Sequence, residues 1–497
     1  MISITIVLII LICISYFYLN YHRQRPKTIN HLLPGPRTWP VIGNAYCFFR
    51  RNPDEILNIV TKWAEDYQSP FRCWIGNKLF IFVNDPDQIK TILQSSHCLN
   101  KSILYKFFEP LLGEGIFTAS ELKWRLQRRL ISPTFSNNML LRYFDVFVEQ
   151  SLILTNTLEN IGLNSEIIFF EHISERTLDT ACVTLMGVKV KPSLINQFLE
   201  TRLRTAANSR VTNLFLYSDF IFNLTSNGRE FRKNINLMHI IIDEVIRQAD
   251  TLNRLNTKNK SKKNRTFYDI IMDSSHKENF AQNDFTKMLH NNVLFMLLAA
   301  SDTSAITLNF VVFILANFSE IQEKVYQELR EIYGTKTPKS TSIKYEDLQR
   351  MNYLENVIKE TMRIFPIAPL IARELSEDLN IGNIILPKGT DVILQLMAVH
   401  RKEKFWPNPL VFDPDRFLPE NIGKFNSFYM PFSLGSRNCM GIKYAMISMK
   451  VFLSTLVRTF VFKIDKSIQI NEIKLHYDLM LKIGEPIKVR IEKRDLH

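Results

Sequence analysis

The ten residues from Phe432 to Gly441, Phe-Ser-Leu-Gly-Ser-Arg-Asn-Cys-Met-Gly, constrain this chain more than any other segment. One thiol, Cys439, stands between two glycines, with Arg437 two positions before it and Phe432 seven before it. Gly435 permits a tight turn, and Gly441 permits a helix to start close to a flat partner. A helix beginning just after Cys439 would aim free N–H groups and a positive dipole end at the sulfur. That arrangement lowers a thiol pKa and favours the thiolate, the form that binds metals. A lone cysteine in an intracellular protein is ordinarily an inert apolar side chain. Phe, Gly, Arg, Cys and Gly at five fixed offsets coincide in roughly one window in ten million at average residue frequencies, so the pattern is read as a ligand loop.

This loop resembles that of the cytochrome P450 family, the haem-thiolate monooxygenases. The resemblance implies a non-covalent haem b with Cys439 as its axial thiolate. Such a ligand pushes electron density onto iron and favours O–O cleavage. It also implies Arg437 on a haem propionate and Phe432 shielding the sulfur from water.

Three further segments agree. In Trp124-Arg125-Leu126-Gln127-Arg128-Arg129, Trp124 and Arg128 are four apart and share a helix face. An indole N–H and a guanidinium both suit a carboxylate. In the family this helix holds propionates, often with His where this chain has Gln127. Arg125 and Arg129, on the neighbouring face, suit an acidic redox partner. Glu360-Thr361-Met362-Arg363 is an ExxR pair, common on helices and uninformative alone. Here Arg373 follows, and then Phe412-Asp413-Pro414-Asp415-Arg416-Phe417. In the family, residues matching Glu360, Arg363 and Arg416 lock together beneath the haem, and the one matching Arg373 binds a propionate. Finally, Asp302-Thr303 interrupts a long apolar helical stretch from about Asp284 to Phe318. A buried polar pair needs a reason. Thr hydroxyls often bond the carbonyl one turn back and bend the helix. The resemblance supplies another role, delivery of the two protons that oxygen reduction and O–O scission consume. In this stretch Ala300 stands where the family usually has Gly.

A finer likeness, to the animal clan that contains the fatty-acid ω-hydroxylases, rests on Thr177-Leu178-Asp179-Thr180-Ala181-Cys182 with Met186-Gly187, and on Phe267-Tyr268-Asp269-Ile270. Many members of that clan carry a Glu at the position of Ala299, which esterifies the haem. Alanine cannot, so the haem is expected to be non-covalent and ω-hydroxylation of fatty acids is discounted.

The fold is expected to be mainly α with a smaller β portion, a long central helix over the haem, and an N-terminal anchor. Residues 71–83 read as a β-hairpin turning at Gly76-Asn77, and Ile89 to about Ala372 reads as mostly helical. A β-rich stretch is expected from Leu379 to Val399, with a turn at Leu386-Pro387-Lys388-Gly389. Ile2 to Leu19 is almost wholly apolar and just long enough to cross a bilayer. Arg23, Arg25 and Lys27 follow it, so the bulk should face the cytosol. The alternative is a cleaved signal peptide, which the missing charged n-region disfavours. The expected organisation is a single-pass anchor (1–22), a basic proline-rich hinge including Leu33-Pro34-Gly35-Pro36 (23–40) and a catalytic domain (41–497), on the endoplasmic reticulum membrane. Six scattered cysteines without metal-type spacing fit a reducing compartment. A net charge of +13 suits an acidic partner or an anionic membrane surface. No nucleic-acid motif accompanies it. Part of the excess lies in Lys258 to Arg265, read as a solvated loop.

The expectation is a membrane-anchored monooxygenase using O2 and electrons from an NADPH-cytochrome reductase, with cytochrome b5 as a second donor, on a small lipophilic substrate. Candidate lining residues by family layout are Phe107, Phe108, Ile116, Phe117, Phe215, Phe220, Leu298, Leu370 and Met480. A haem-thiolate isomerase or lyase and a non-catalytic haem binder remain as rivals. Asp302, Thr303 and a donor-docking face argue against both.

Overall fold

The computed structural model describes residues 32–494 except 50, 164, 205–209, 211–213, 257–264 and 276–280. The apolar segment 2–19, the basic residues after it and most of the Lys258–Arg265 loop lie outside the described residues.

The helices that position the site are α1 (Pro53–Asp66), α2 (Glu121–Ile131), α3 (Asn137–Ile161), α4 (Phe169–Ala181), α5 (Pro192–Arg204), α6 (Asp219–Leu224), α7 (Ser226–Asn256), α8 (Gln282–Asn317), α9 (Ser319–Tyr333), α10 (Asn352–Ile364) and α11 (Ile442–Thr459). The long helix runs two residues earlier than expected at its start. At 36 residues it spans about 54 Å. From Ser304 to Ala316 almost every residue is buried, in a core shared with α4, α10 and α11, while α7 packs against the N-terminal half of the helix. Helices apolar all round belong inside a protein core. Among the described residues α8 alone is long and apolar enough to cross a membrane, and its burial marks it as the core helix.

Eleven short strands form small sheets among the described residues. β1 (Phe71–Ile75) and β2 (Lys78–Val83) make the expected hairpin, with Gly76 at φ 61° in its turn. A third strand, β3 (Glu166–Ile168), lies before α4. Then come β4 (Leu370–Glu374), β5 (Leu379–Asn380), β6 (Ile385–Leu386) and β7 (Asp391–Gln395). The last four are β8 (Phe460–Lys463), β9 (Leu475–Asp478), β10 (Met480–Ile483) and β11 (Lys488–Lys493). The main sheet has the order β1-β2-β7-β4, with β2 parallel to β7. The segment before α1 docks on it: Arg72 donates to the Pro34 carbonyl (2.9 Å), and Asn44 bridges to Trp74.

Three expectations are corrected. The helical region ends at Ile364, because Pro366 and Pro369 cannot continue a helix, and residues 370–374 are strand β4. The β-rich stretch ends at Gln395, and Leu396–His400 is a short helix. Strands β3 and β8–β11 were not foreseen, since each is only three to six residues long.

Candidate functional site

The Cys439 loop is shaped by backbone constraints. Gly435 sits at φ 72°, and a Cβ there would meet the Leu93 carbonyl oxygen at 1.9 Å, so only glycine fits. The Cys439 N–H donates to the Phe432 carbonyl (3.0 Å), and Gly441 is the N-cap of α11. Cys439 is the one exposed cysteine among the described residues, yet protein closes round it on nearly every side; its exposure is to an interior cleft. Burial pushes the thiol up, and the Gly441 N–H and the Arg128 guanidinium pull it down. The expected lowering is thus present but outweighed. A dipole end is partial charge at the surface of an apolar pocket, whereas desolvation acts on the whole thiolate.

Phe295, Ala299 and Thr303, each four residues after the last, share one face of α8 and are all partly accessible. Met440, next to Cys439, packs against the same apolar cluster as Leu298 and Ala300, which joins the cysteine loop to this part of the core. Asp302 is buried. The Ser301 hydroxyl donates to the Leu297 carbonyl (2.7 Å) and lies 3.3 Å from Asp302 Oδ1. The Thr303 hydroxyl donates to the Ala299 carbonyl (2.8 Å), the helix-bending bond weighed above, and its oxygen keeps acceptor capacity.

The flank of the cleft gathers cations. Arg373 is 2% exposed and donates to its neighbour's carbonyl, that of Ala372. Arg437 donates to the Ala119 (2.6 Å) and Ile116 (3.5 Å) carbonyls, lies over the Trp124 ring at 4.6 Å, and leaves a buried Nε without a partner. Lys101, which the sequence reading missed, sits over the rings of Tyr105 (4.4 Å) and Phe117 (4.6 Å). No carboxylate lies within ion-pair distance of these three among the described residues. Burial, then mutual repulsion, lowers all their pKa values except that for Arg373 only burial does so: Lys101 falls well below the usual lysine range and Arg437 to about 9. Buried cations without counter-charge are costly. The donor set therefore fits a dianionic group whose two carboxylates would complete it, as haem propionates would. Arg128 makes its hydrogen bonds to the cysteine loop. Its guanidinium donates to the carbonyl (2.8 Å) and side chain (2.9 Å) of Asn438, so it braces the residue before the cysteine.

On the other side of the loop, Glu360 and Arg363 are both fully buried and joined by two bonds, of 2.7 and 2.8 Å. Arg363 also donates to the His400 and Pro409 carbonyls (2.7 and 2.8 Å). Arg416 Nε lies 3.4 Å from Glu360 Oε1, an ion pair too poorly angled to count as a hydrogen bond. Burial pushes the Glu360 carboxyl up, and Arg363 counters it.

Residues 33–489 match the profile of the family described as Cytochrome P450. The chain belongs to the cytochrome P450 family. It is 31% identical to "Cytochrome P450 4c3" of Drosophila melanogaster over 97% of this chain and 93% of that protein. It is 31% identical to "Cytochrome P450 4V2" of Mus musculus (98% and 94%) and 28% identical to "Cytochrome P450 4c21" of Blattella germanica (99% and 99%). The likeness to the clan of the ω-hydroxylases therefore stands, and the chain is a cytochrome P450 monooxygenase, a family whose haem is held by a cysteine thiolate.

Of the expected lining residues, Phe107, Phe108 and Ile116 are buried, and Phe117, Leu298, Leu370 and Met480 are partly buried. Phe220 is corrected: it is 75% exposed, because α6 turns Phe222 inward instead. The side chain of Phe215 lies outside the described residues.

Proposed function

We propose that this P450 is a membrane-anchored monooxygenase that inserts one atom of O2 into a lipophilic substrate, with electrons from an NADPH-dependent reductase and cytochrome b5 as a second donor. The observation that carries the reading is the trio of cations, buried Arg373 and partly buried Lys101 and Arg437, set beside an enclosed thiol with no carboxylate within ion-pair distance among the described residues. When bound, the haem supplies a thiolate-ligated iron able to activate dioxygen.

This chain's residues do the rest. Cys439 Sγ is the ligand, and Phe432 keeps water from it. Lys101, Arg373, Arg437 and the Trp124 indole would hold the propionates. Arg128, placed by the family pattern on a propionate, fixes the Asn438 backbone behind the ligand. Thr303 presents its hydroxyl to the cleft, and buried Asp302 supplies it with protons. The Glu360–Arg363–Arg416 network keeps the loop's support rigid. Phe107, Phe108, Ile116 and Phe117 exclude water and favour an apolar substrate. The apolar N-terminus anchors the protein in the endoplasmic reticulum membrane with the catalytic domain cytosolic.

The test is the carbon monoxide spectrum of the reduced protein beside C439A, followed by turnover with NADPH and reductase. A strongly red-shifted Soret band lost in C439A, with NADPH- and O2-dependent product, is expected. An unshifted band refutes the ligand assignment. Peroxide rearrangement without NADPH would favour the isomerase or lyase reading. Acid–organic extraction should remove all the haem, since Ala299 cannot form an ester.

A further inference from the structure

Gln127 and Asn292 form a buried amide pair between α2 and α8, 5% and 0% exposed. Asn292 Oδ1 accepts from the Ile116 N–H (2.9 Å). Its Nδ2 donates to the Met288 carbonyl (2.8 Å) and to Gln127 Oε1 (3.1 Å). Gln127 Nε2 then donates to the Glu114 carbonyl (2.9 Å). The orientation is self-consistent in one direction only. The Ile116 N–H must meet an oxygen, which turns the Asn292 nitrogen to Gln127, which turns the Gln127 nitrogen to Glu114.

What the pair grips is the loop 113–119. That loop lies so close to α8 that a Cβ on Gly113 would meet the Asn291 side chain at 2.2 Å. It carries Ile116 and Phe117, the latter stacked on Phe295 at 4.9 Å. It also offers Arg437 its two carbonyl acceptors, and through Phe117 it seats Lys101. One short segment thus shapes both the apolar wall and the cation cluster.

We propose that Gln127 and Asn292 are positioning residues that hold loop 113–119, and so set pocket selectivity, without touching substrate or haem. The side chain needed at 127 presents one acceptor and one donor. A neutral imidazole has both; a carboxylate has no donor. Q127H should therefore preserve the grip at pH 8, and the near-isosteric Q127E should lose it.

The inference rests on the site proposed at Cys439. The carbon monoxide band separates the two, because a wild-type protein without a shifted band sinks the site itself, whereas variants that keep the band test the pair alone. Full-length holoprotein carrying Q127A, N292A, Q127H or Q127E is compared by two readouts. One is amide hydrogen exchange across residues 113–119. The other is the ratio of dissociation constants for 4-phenylimidazole, which must fit the wall, and imidazole, which need not. Q127A removes two buried hydrogen bonds and N292A three, so in both variants exchange should be at least about tenfold faster, and 4-phenylimidazole at least about tenfold weaker relative to imidazole. Q127H should restore both to within about twofold. Wild-type exchange and an unchanged ratio in Q127A and N292A would overturn the proposal. Should those two not fold, Q127H and Q127E decide it, and equal behaviour of that pair overturns it.

Discussion

Replacing Glu360 with Ala tests the support beneath the cysteine loop most directly. Glu360 and Arg363 are both 0% exposed, so the substitution leaves a guanidinium with no solvent to stabilise it. Breaking a buried pair from one side costs about 3–5 kcal/mol. The Asp413 N–H, which donates to Glu360 Oε1 at 3.0 Å, is stranded as well, adding about 1–3 kcal/mol. Against a total stability of about 5–15 kcal/mol, a loss near 5 is severe. In a chain this long each kcal/mol moves the melting midpoint by about 1–2 °C, so E360A should melt about 5–10 °C lower. The network anchors residues 409–416, on the chain leading into the loop, so haem incorporation should fail too. The assays are haem content per protein by pyridine haemochromogen and a thermal melt by circular dichroism. E360L/R363M should recover only part of the loss, because the His400 and Pro409 carbonyls then lack their donor. Wild-type haem content with a midpoint within about 2 °C in E360A would refute the reasoning.

Three other outcomes are expected. T303V keeps the shape of Thr303 and removes its hydroxyl; product per NADPH should fall by about 10²-fold while peroxide or water formation takes up the electrons, as coupling measurements would show. G435A places a Cβ against the Leu93 carbonyl at 1.9 Å from a left-handed backbone, so the red-shifted carbon monoxide band should largely vanish; a full band would mean the turn can relax. His400 is buried and held at about 3, first by burial and then by the Arg363 charge, while accepting from the Met430 N–H. A base depressed on folding binds more protons when unfolded, so its cost appears as pH falls below about 6.5 and grows by at most about 1.4 kcal/mol per unit down to pH 3. The acid-side slope of the melting midpoint should flatten in H400Q, and an unchanged slope would assign it to other groups.

The ligand loop was legible in the sequence because its constraints are local. Gly435, Cys439 and the helix start at Gly441 lie within seven residues, where one turn's sterics decide the geometry. The long apolar run of α8 was legible for a similar reason, since a helix buried on all sides needs no particular partner to be apolar. Glu360 with Arg363 was legible only as a common helical pair, and its full burial came from packing against residues 400–416.

Other features were decided by tertiary structure. Strand β3 finds its partner β11 more than 300 residues away, and segments of three to six residues such as β3 and β8–β11 carry too little periodicity to declare themselves. Lys101 lies in no motif, and only the packing of Tyr105 and Phe117 beneath it and of Arg373 and Arg437 near it makes it part of a cation cluster. Arg128 could be assigned to a helix face, but the partner on that face, Asn438, is 310 residues away. Likewise the sequence shows Gln127 as one polar residue among arginines, and nothing local joins it to Asn292 or to the Glu114 carbonyl. The sequence by itself determined the family, the turn of the cysteine loop and the long apolar helix, because constraints confined to one turn or one helix are written in adjacent residues. Which charges meet, which stay unpaired and which loop is gripped depended on distant segments arriving at one place, and that only the folded chain decides.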